Sequence, residues 1–320
     1  MIREELILKL LGYNNQKLKL DMDDLFFLNK AKINGLIFDF LDSDTLEVDQ
    51  TLLDILRELS SFNYIRNVNL LKEAINIDFL LERHQVKRTW IKGIAELFNN
   101  PSNLKSRKQF DIDILVENPY QVRDLMMEYG FTYGAYDLHG NWVTANKDEI
   151  SSLEKEDYEL FPLTKNINLE NLHTKVNPDT LTLQRVFKEG THYFTDVCLD
   201  IHNELTFDLK PAWILKNGFF PTMDEIDEIW YLLNKSFYEQ IEGHSLNLQS
   251  LIVIINKIRQ TKLNHEEIKN RLDLTGFYNE TAVNTMFHLA NGTIDDSELN
   301  KIVQTFMHNF ENYKNHSVPS

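Results

Sequence analysis

Residues 110–116 read FDIDILV, an alternation that predicts a half-buried strand. Successive side chains on a strand point to opposite faces, so Asp111 and Asp113 share one face while the apolar residues at 110, 112, 114 and 116 face a core. At about 3.3 Å per residue, the Cα atoms of the two aspartates should lie about 6.6 Å apart. The stretch therefore predicts a sheet that carries two carboxylates on one face.

A carboxylate pair of this kind suits a hard cation. Two carboxylates on one face of a buried strand repel each other unless a cation joins them. Mg²⁺ takes oxygen ligands and keeps positions open for substrate phosphates, and two ions about 3.5 to 4 Å apart suit in-line displacement at phosphorus. An edge strand with a solvated polar face explains the pair equally well when it is considered alone.

A second strand is predicted at residues 197–203, VCLDIHN. Here Cys198, Asp200 and His202 share one face. Asp200 could complete a metal site with the first two carboxylates, act as a base toward an acceptor hydroxyl, or do both. Cys198 and His202 would lie about 13 Å apart, too far for a nucleophile–base pair. Cys198 is therefore expected to be a packed residue, and His202 either contacts substrate or makes a structural hydrogen bond.

The segment between Arg83 and Lys108 contains seven basic residues and one acid, Glu96, a charge of +6 just before the carboxylates. Cations beside a phosphate-binding site can screen a triphosphate and its leaving pyrophosphate. Gly93 stands at a predicted strand-to-helix junction, where backbone amides can approach phosphates. The alternative is a solvated basic loop, which is favoured for Lys105 and Lys108.

The rest of the chain divides into helical and mixed regions. We expect a helical region at 1–84 made of several short helices, a mixed core at 85–210 and a C-terminal helical domain at 211–320. Within the core we expect a helix from Pro119 to Gly130, a hairpin around residues 138–140 and a surface loop at 146–157. Strands alternating with helices predict an α/β or α+β sheet core.

Composition and charge exclude several classes of protein. The 320 residues carry 49 acidic against 33 basic side chains, a net charge of −16, whereas proteins that wrap duplex nucleic acid usually carry a basic excess. A polymeric nucleic acid is therefore not the expected partner. The single cysteine permits no intrachain disulfide, and we expect no signal peptide, no membrane helix and a cytoplasmic location.

Several short motifs in a fixed order resemble a known family. They are Lys92-Gly93 at a strand end, Arg107 four residues before Asp111-Ile112-Asp113, and a later Asp200-Ile201-His202. This order resembles the uncharacterised bacterial nucleotidyltransferase family of the DNA polymerase beta-like superfamily. The resemblance covers about residues 25 to 210. It departs from the broad superfamily pattern in having Ile94 after Gly93, where many members have Gly or Ser.

The resemblance implies a fold, a metal and roles for residues. It implies an α+β fold with a nucleotidyltransferase-type mixed sheet flanked by helical regions. Asp111, Asp113 and Asp200 would be catalytic and bind metal, with two Mg²⁺ ions expected. Lys92, Gly93 and Arg107 would bind the nucleotide, and His202 is a candidate substrate contact.

The function implied is a Mg²⁺-dependent nucleotidyltransferase. It would move NMP, with AMP expected, from NTP to a small-molecule or peptide acceptor and release pyrophosphate. One alternative is a catalytically inactive protein of the same fold that binds nucleotide or a partner. Another is a toxin-like enzyme that modifies tRNA ends, which the net charge disfavours and the basic segment favours.

Overall fold

The computed structural model of the protein has an α+β fold, as predicted. It divides into two compact units, Met1–Leu53 with Asp224–Ser320, and Asp54–Met223. The predicted three-part division at residues 84 and 210 remains a prediction. The structure describes residues 2–31, 33, 35, 37, 45–136, 141–156, 159–170, 172, 186–205, 213–242, 248–261, 265–275 and 280–316.

The described helices and strands are named in chain order. The helices are α1 (Ile2–Leu10), α2 (Met22–Lys30), α3 (Gln50–Arg83), α4 (Lys92–Asn99), α5 (Pro119–Glu128), α6 (Lys147–Glu156), α7 (Glu225–Glu242), α8 (Leu248–Gln260), α9 (His265–Thr275), α10 (Glu280–Asn291) and α11 (Asp296–His316). The strands are β1 (Leu18–Lys19), β2 (Leu46–Glu47), β3 (Arg88–Ile91), β4 (Asp111–Val116), β5 (Thr132–Tyr136), β6 (Trp142–Thr144), β7 (Leu163–Asn168), β8 (Phe187–Glu189) and β9 (His192–His202).

A mixed sheet forms the centre of the unit 54–223. Its strand order is β3-β4-β9-β7-β5-β6, and β8 pairs with β9. The strands β4 and β9 run parallel, and the other pairs in this sheet are antiparallel. Asp113 lies opposite Asp200 in the β4–β9 register. The parallel pairing of β4 with β9 therefore places the carboxylate of Asp113 next to that of Asp200.

Apolar side chains from the sheet and from α3 build one core. Ile112, Ile114 and Val116 of β4 are fully buried in it, together with Leu199 and Ile201 of β9. Leu115, on the opposite face of β4, is also fully buried. The strand is thus solvent-accessible only near Asp111, and the polar face does not extend along its whole length.

Two details of the helical predictions were wrong. The residues before 84 include a single 34-residue helix, α3, and a short parallel pair of strands, β1 and β2. Residues 147–156, expected as a loop, form helix α6, which begins with Asp148 and Glu149 in its first turn, where acidic side chains stabilise the helix dipole. The predicted hairpin is present as β5 and β6, while its turn at 137–140 lies outside the described residues.

A buried ion pair joins α3 to the first strand of the sheet. The carboxylate of Asp78 accepts hydrogen bonds from Arg88 Nε at 2.7 Å and from Trp90 Nε1 at 2.8 Å. Its other oxygen accepts one from the backbone N–H of Phe220 at 2.8 Å. Both Asp78 and Arg88 are fully buried. Because β3 leads directly into Lys92 and Gly93, this pair fixes the start of α4.

The unit of Met1–Leu53 and Asp224–Ser320 contains α1, α2 and the helices α7 to α11. Arg259 of α8 ties several of these elements together, since its guanidinium donates to the backbone carbonyls of Ala290 at 2.9 Å and Leu11 at 3.1 Å. Gly12 lies against the guanidinium with φ +86°, a conformation that favours glycine. Among the described helices, none combines the length and the hydropathy needed to cross a bilayer.

Asp78→Ala should destabilise the protein by about 3–5 kcal/mol, because it removes the fully buried carboxylate that pairs with the Arg88 guanidinium and leaves only the half-exposed carboxylate of Glu82 beside that charge. Urea denaturation followed by circular dichroism measures the loss. The control Asp124→Ala removes a 64% exposed carboxylate and should cost less than about 1 kcal/mol. A loss at Asp78 no greater than the control's would contradict the role assigned to this ion pair.

Candidate active site

Three carboxylates converge where β4 and β9 pair. Asp111 and Asp113 stand on one face of β4, and Asp200 stands opposite Asp113 on β9. One carboxylate oxygen from each residue lies within 4.8 Å of the other two. Asp113 is 1% exposed, and the other two are half-buried. The parallel register of β4 and β9 produces this cluster, and this register could not be predicted from the sequence.

Lys92 supplies a positive charge to the cluster. Its ammonium donates to Asp113 Oδ1 and lies 3.2 Å from His202 Nε2. Lys92 adopts φ +55°, a conformation that L side chains rarely adopt, at the junction of β3 and α4. Backbone strain of this kind costs about 1–3 kcal/mol and persists where the surrounding structure imposes it. The junction thus holds the lysine in a left-handed conformation while its ammonium contacts the acidic site.

His202 lies behind the cluster and is fully buried. Its Nε2 is 3.2 Å from Asp113 Oδ1, and its Nδ1 is 3.3 Å from Glu159 Oε2. Both ring nitrogens therefore face carboxylates of the protein. The direct substrate contact considered for His202 remains a prediction.

A glutamine connects the second predicted cation to the cluster. Gln109 Nε2 donates to Asp111 Oδ1 at 2.7 Å, and Gln109 Oε1 accepts from Arg107 Nε at 2.9 Å. Gly93 lies directly against this amide, because a Cβ added there would fall well inside its van der Waals distance. Gly93 and Arg107 thus both contact the side chain of Gln109, which in turn contacts Asp111.

Helix α3 holds the loop that carries Arg107. The buried side chain of Asn67 donates to the backbone carbonyls of Leu104 at 2.9 Å and Arg107 at 2.7 Å. Asn63, one helical turn earlier, donates to the carbonyl of Lys105 at 3.2 Å. These bonds fix the backbone of the basic loop immediately before β4. Lys105 lies over the ring of Tyr64 and is exposed, as expected for a solvated loop. The same expectation was wrong for Lys108, which is buried and lies over the ring of Phe110.

Burial and like charges dominate the electrostatics of the cluster. Burial, reinforced by the negative charge of Asp113, raises the pKa of Asp200 to about 8, although Lys92 opposes this rise. Burial also raises the pKa of the Cys198 thiol, and the charges of Asp200 and Asp111 add to the effect. Cys198 is therefore a neutral thiol whose Sγ donates to Asp200 Oδ1 at 3.4 Å, which agrees with its predicted packing role.

The donor set fits a magnesium ion. All three converging ligands are carboxylates, which are hard oxygen donors suited to Mg²⁺. Their mutual repulsion, visible in the raised pKa of Asp200, would be relieved by a divalent cation. Asp111, Asp113 and Asp200 are the residues that would hold it.

Two residues near the cluster had no role in the sequence interpretation. Gln109 could have been noticed, since residues 109, 111 and 113 follow the same alternation. Glu159 has no such signal, because it reaches His202 through an isolated bridge from a segment outside the named strands.

Comparison with known proteins gave one match. The model of a family described as "Uncharacterised nucleotidyltransferase" matches residues 25–291 of the chain. Searches of curated proteins and of solved structures found no match.

Asp200→Asn should raise the melting temperature in EDTA. The difference in melting temperature between this variant and the wild type should grow from about pH 5.5 to 8.5. The folded protein keeps the Asp200 proton up to about pH 8, whereas the unfolded chain releases it near the ordinary value of 3.8. The free energy of unfolding of the wild type therefore falls as the pH rises through this range, and asparagine removes the effect.

Thermal denaturation at several pH values provides the measurement. Asp148→Asn, an exposed aspartate on α6, serves as the matched control and should show a difference from wild type that does not change with pH. If the difference for Asp200→Asn is equally constant, the electrostatic account of the cluster is wrong.

Proposed function

Since the chain belongs to the uncharacterised nucleotidyltransferase family and is a transferase of phosphorus-containing groups, we propose that it moves AMP from ATP to a small-molecule or peptide acceptor. Pyrophosphate is the second product. The observation that carries this proposal is the convergence of Asp111, Asp113 and Asp200 on two parallel strands. We further propose that the family lies within the polymerase beta-like superfamily, supported by the ordered motifs at Lys92-Gly93, Arg107 and the three aspartates.

The three carboxylates are proposed to hold Mg²⁺, with two ions expected. Bound there, Mg²⁺ would neutralise charge on the phosphate oxygens as the reaction proceeds. Asp113 keeps its orientation through His202, and Asp111 through Gln109. In this proposal the protein contributes chiefly by fixing these groups before substrate arrives.

The cations of the site are proposed to bind the triphosphate. The Lys92 ammonium contacts Asp113 directly, and the Arg107 guanidinium is linked to Asp111 by the side chain of Gln109. The backbone N–H groups at Gly93 and Ile94 lie in the first turn of α4, where N–H groups lack helical partners. Since Ile94 has no hydroxyl, only its backbone can contact a phosphate.

The reaction proposed is an in-line displacement at the α-phosphorus. The acceptor oxygen or nitrogen forms a bond to the α-phosphorus, and the bond from that phosphorus to the oxygen bridging the β-phosphate breaks. The bonding electrons leave with pyrophosphate. The acceptor proton passes to the carboxylate of Asp200, the proposed base, which bound Mg²⁺ would keep ionised despite its raised pKa.

The acceptor proposed is neutral or cationic. A chain with a net charge of −16 repels anionic molecules and attracts cations. An amine-bearing small molecule or a basic peptide therefore fits better than a polymeric nucleic acid, whose phosphates would need a compensating basic surface.

Calorimetric titration with an ATP analogue whose α- and β-phosphates are joined by a methylene group tests the proposal. The wild type should bind the analogue with Mg²⁺ and far more weakly in EDTA. Asp111→Asn/Asp113→Asn should abolish the Mg²⁺-dependent part, because both changes replace charged oxygen ligands with amides of the same size. Parallel titrations with GTP, CTP and UTP analogues test the preference for adenine.

The double variant Glu128→Gln/Asp148→Asn is the matched control. It removes two carboxylates from exposed positions of the same unit and should bind like the wild type. Binding that is the same with and without Mg²⁺, and that survives the change at Asp111 and Asp113, would overturn the proposed metal site.

A further inference from the structure

The side chain of Gln109 is buried at the edge of the site and is only 4% exposed. Its nitrogen donates to two oxygens of Asp111, the carboxylate Oδ1 at 2.7 Å and the backbone carbonyl at 2.8 Å. Its oxygen accepts from the Nε of Arg107 at 2.9 Å. Both ends of one amide are therefore engaged, one by an anion and the other by a cation.

This arrangement fixes the orientation of the amide. A rotation by 180° about the last side-chain bond would put the carbonyl oxygen against the Asp111 carboxylate and the NH₂ group against the Arg107 guanidinium. Both contacts would be repulsive, and hydrogen bonds to charged groups are among the strongest in proteins. Asp111 and Arg107 thus determine which way the amide of Gln109 points, and the amide in turn restrains both of them.

Gly93 completes the enclosure of the amide. A Cβ at this position would overlap all three heavy atoms of the amide group, namely Cδ, Oε1 and Nε2. Gly93 is itself buried, so the amide has the backbone of α4 on one side. The amide of Gln109 therefore leaves no room for a side chain at residue 93.

We propose that Gln109 is a positioning residue that holds Asp111 and Arg107 in a fixed relation, and that residue 93 must be glycine to admit its amide. The inference rests on the proposed function, in which Asp111 binds the metal and Arg107 binds phosphate. It assigns Gln109 a role that the family motifs do not include. It also gives Gly93 a requirement independent of any approach of phosphate to its backbone.

Replacement of Gln109 by methionine, which has a similar volume and no amide, tests the first part. Mn²⁺ is the probe, since it shares oxygen ligands with Mg²⁺ and its binding is measurable by electron paramagnetic resonance without turnover. Loss of a partner that orients a metal ligand typically lowers metal affinity by roughly 10–100-fold. We expect a loss in this range for Gln109→Met and a weaker binding of the methylene ATP analogue.

The matched control is Gln121→Met, at an exposed glutamine of α5, which should leave Mn²⁺ affinity unchanged. A merely structural role of Gln109 would lower the melting temperature without changing the affinity for Mn²⁺. Unchanged Mn²⁺ affinity in Gln109→Met, with a wild type that binds Mn²⁺, would therefore overturn the inference.

A double-mutant cycle tests the second part. Gly93→Ala alone should lower the melting temperature by roughly 5 °C or more, because the added methyl group overpacks the site. In the Gln109→Ala background the same change should have little effect, since the amide that would clash is gone. If Gly93→Ala has the same effect in both backgrounds, Gly93 is not required by Gln109.

The two measurements separate failure of the inference from failure of the proposed function. A wild type that binds neither Mn²⁺ nor the ATP analogue would refute the proposed function, and the metal-related part of the inference with it. The inference alone would be refuted if the wild type binds Mn²⁺ and the ATP analogue while Gln109→Met keeps its affinity for Mn²⁺. The same holds if Gly93→Ala has the same effect with and without the Gln109 side chain.

Discussion

Repulsion among three carboxylates is the constraint around which the described site is built. Parallel pairing of β4 with β9 sets Asp113 opposite Asp200, and the two-residue step to Asp111 adds a third negative charge on the same face. Partial burial intensifies the repulsion, since the charges are less screened there than in water. Lys92 offsets part of this charge directly, and Gln109 stabilises Asp111 with a hydrogen bond.

The surrounding framework serves to keep these compensating groups in place. The buried pair of Asp78 and Arg88 anchors β3, which ends one residue before Lys92. Asn67, also on α3, holds the backbone at Arg107. One long helix thus fixes both segments that bring positive charge to the carboxylates, which explains why Asn67 and Asp78 are buried next to an otherwise apolar core.

Local patterns were sufficient to predict the elements that carry the site. The alternation at 110–116 indicated β4 and the shared face of its aspartates, and the sequence at 197–203 indicated the end of β9. The loop expected at 146–157 was wrong because its polar composition concealed a helix stabilised by its acidic first turn. Contacts between distant segments leave no local pattern in the sequence, so the position of Glu159 beside His202 could not be predicted. The contact between Gly93 and the Gln109 amide likewise depends on the three-dimensional packing.

The parallel pairing of β4 and β9 also has a consequence for folding. Asp113 and Asp200 are far apart in the sequence, and helices, a hairpin and β7 lie between their strands. Contacts of such long range are entropically costly and slow to form. The carboxylate cluster therefore exists only after the central strands have paired. A cation bound to the three carboxylates would then indicate that this unit has completed its folding, and it would stabilise the folded unit over the unfolded chain.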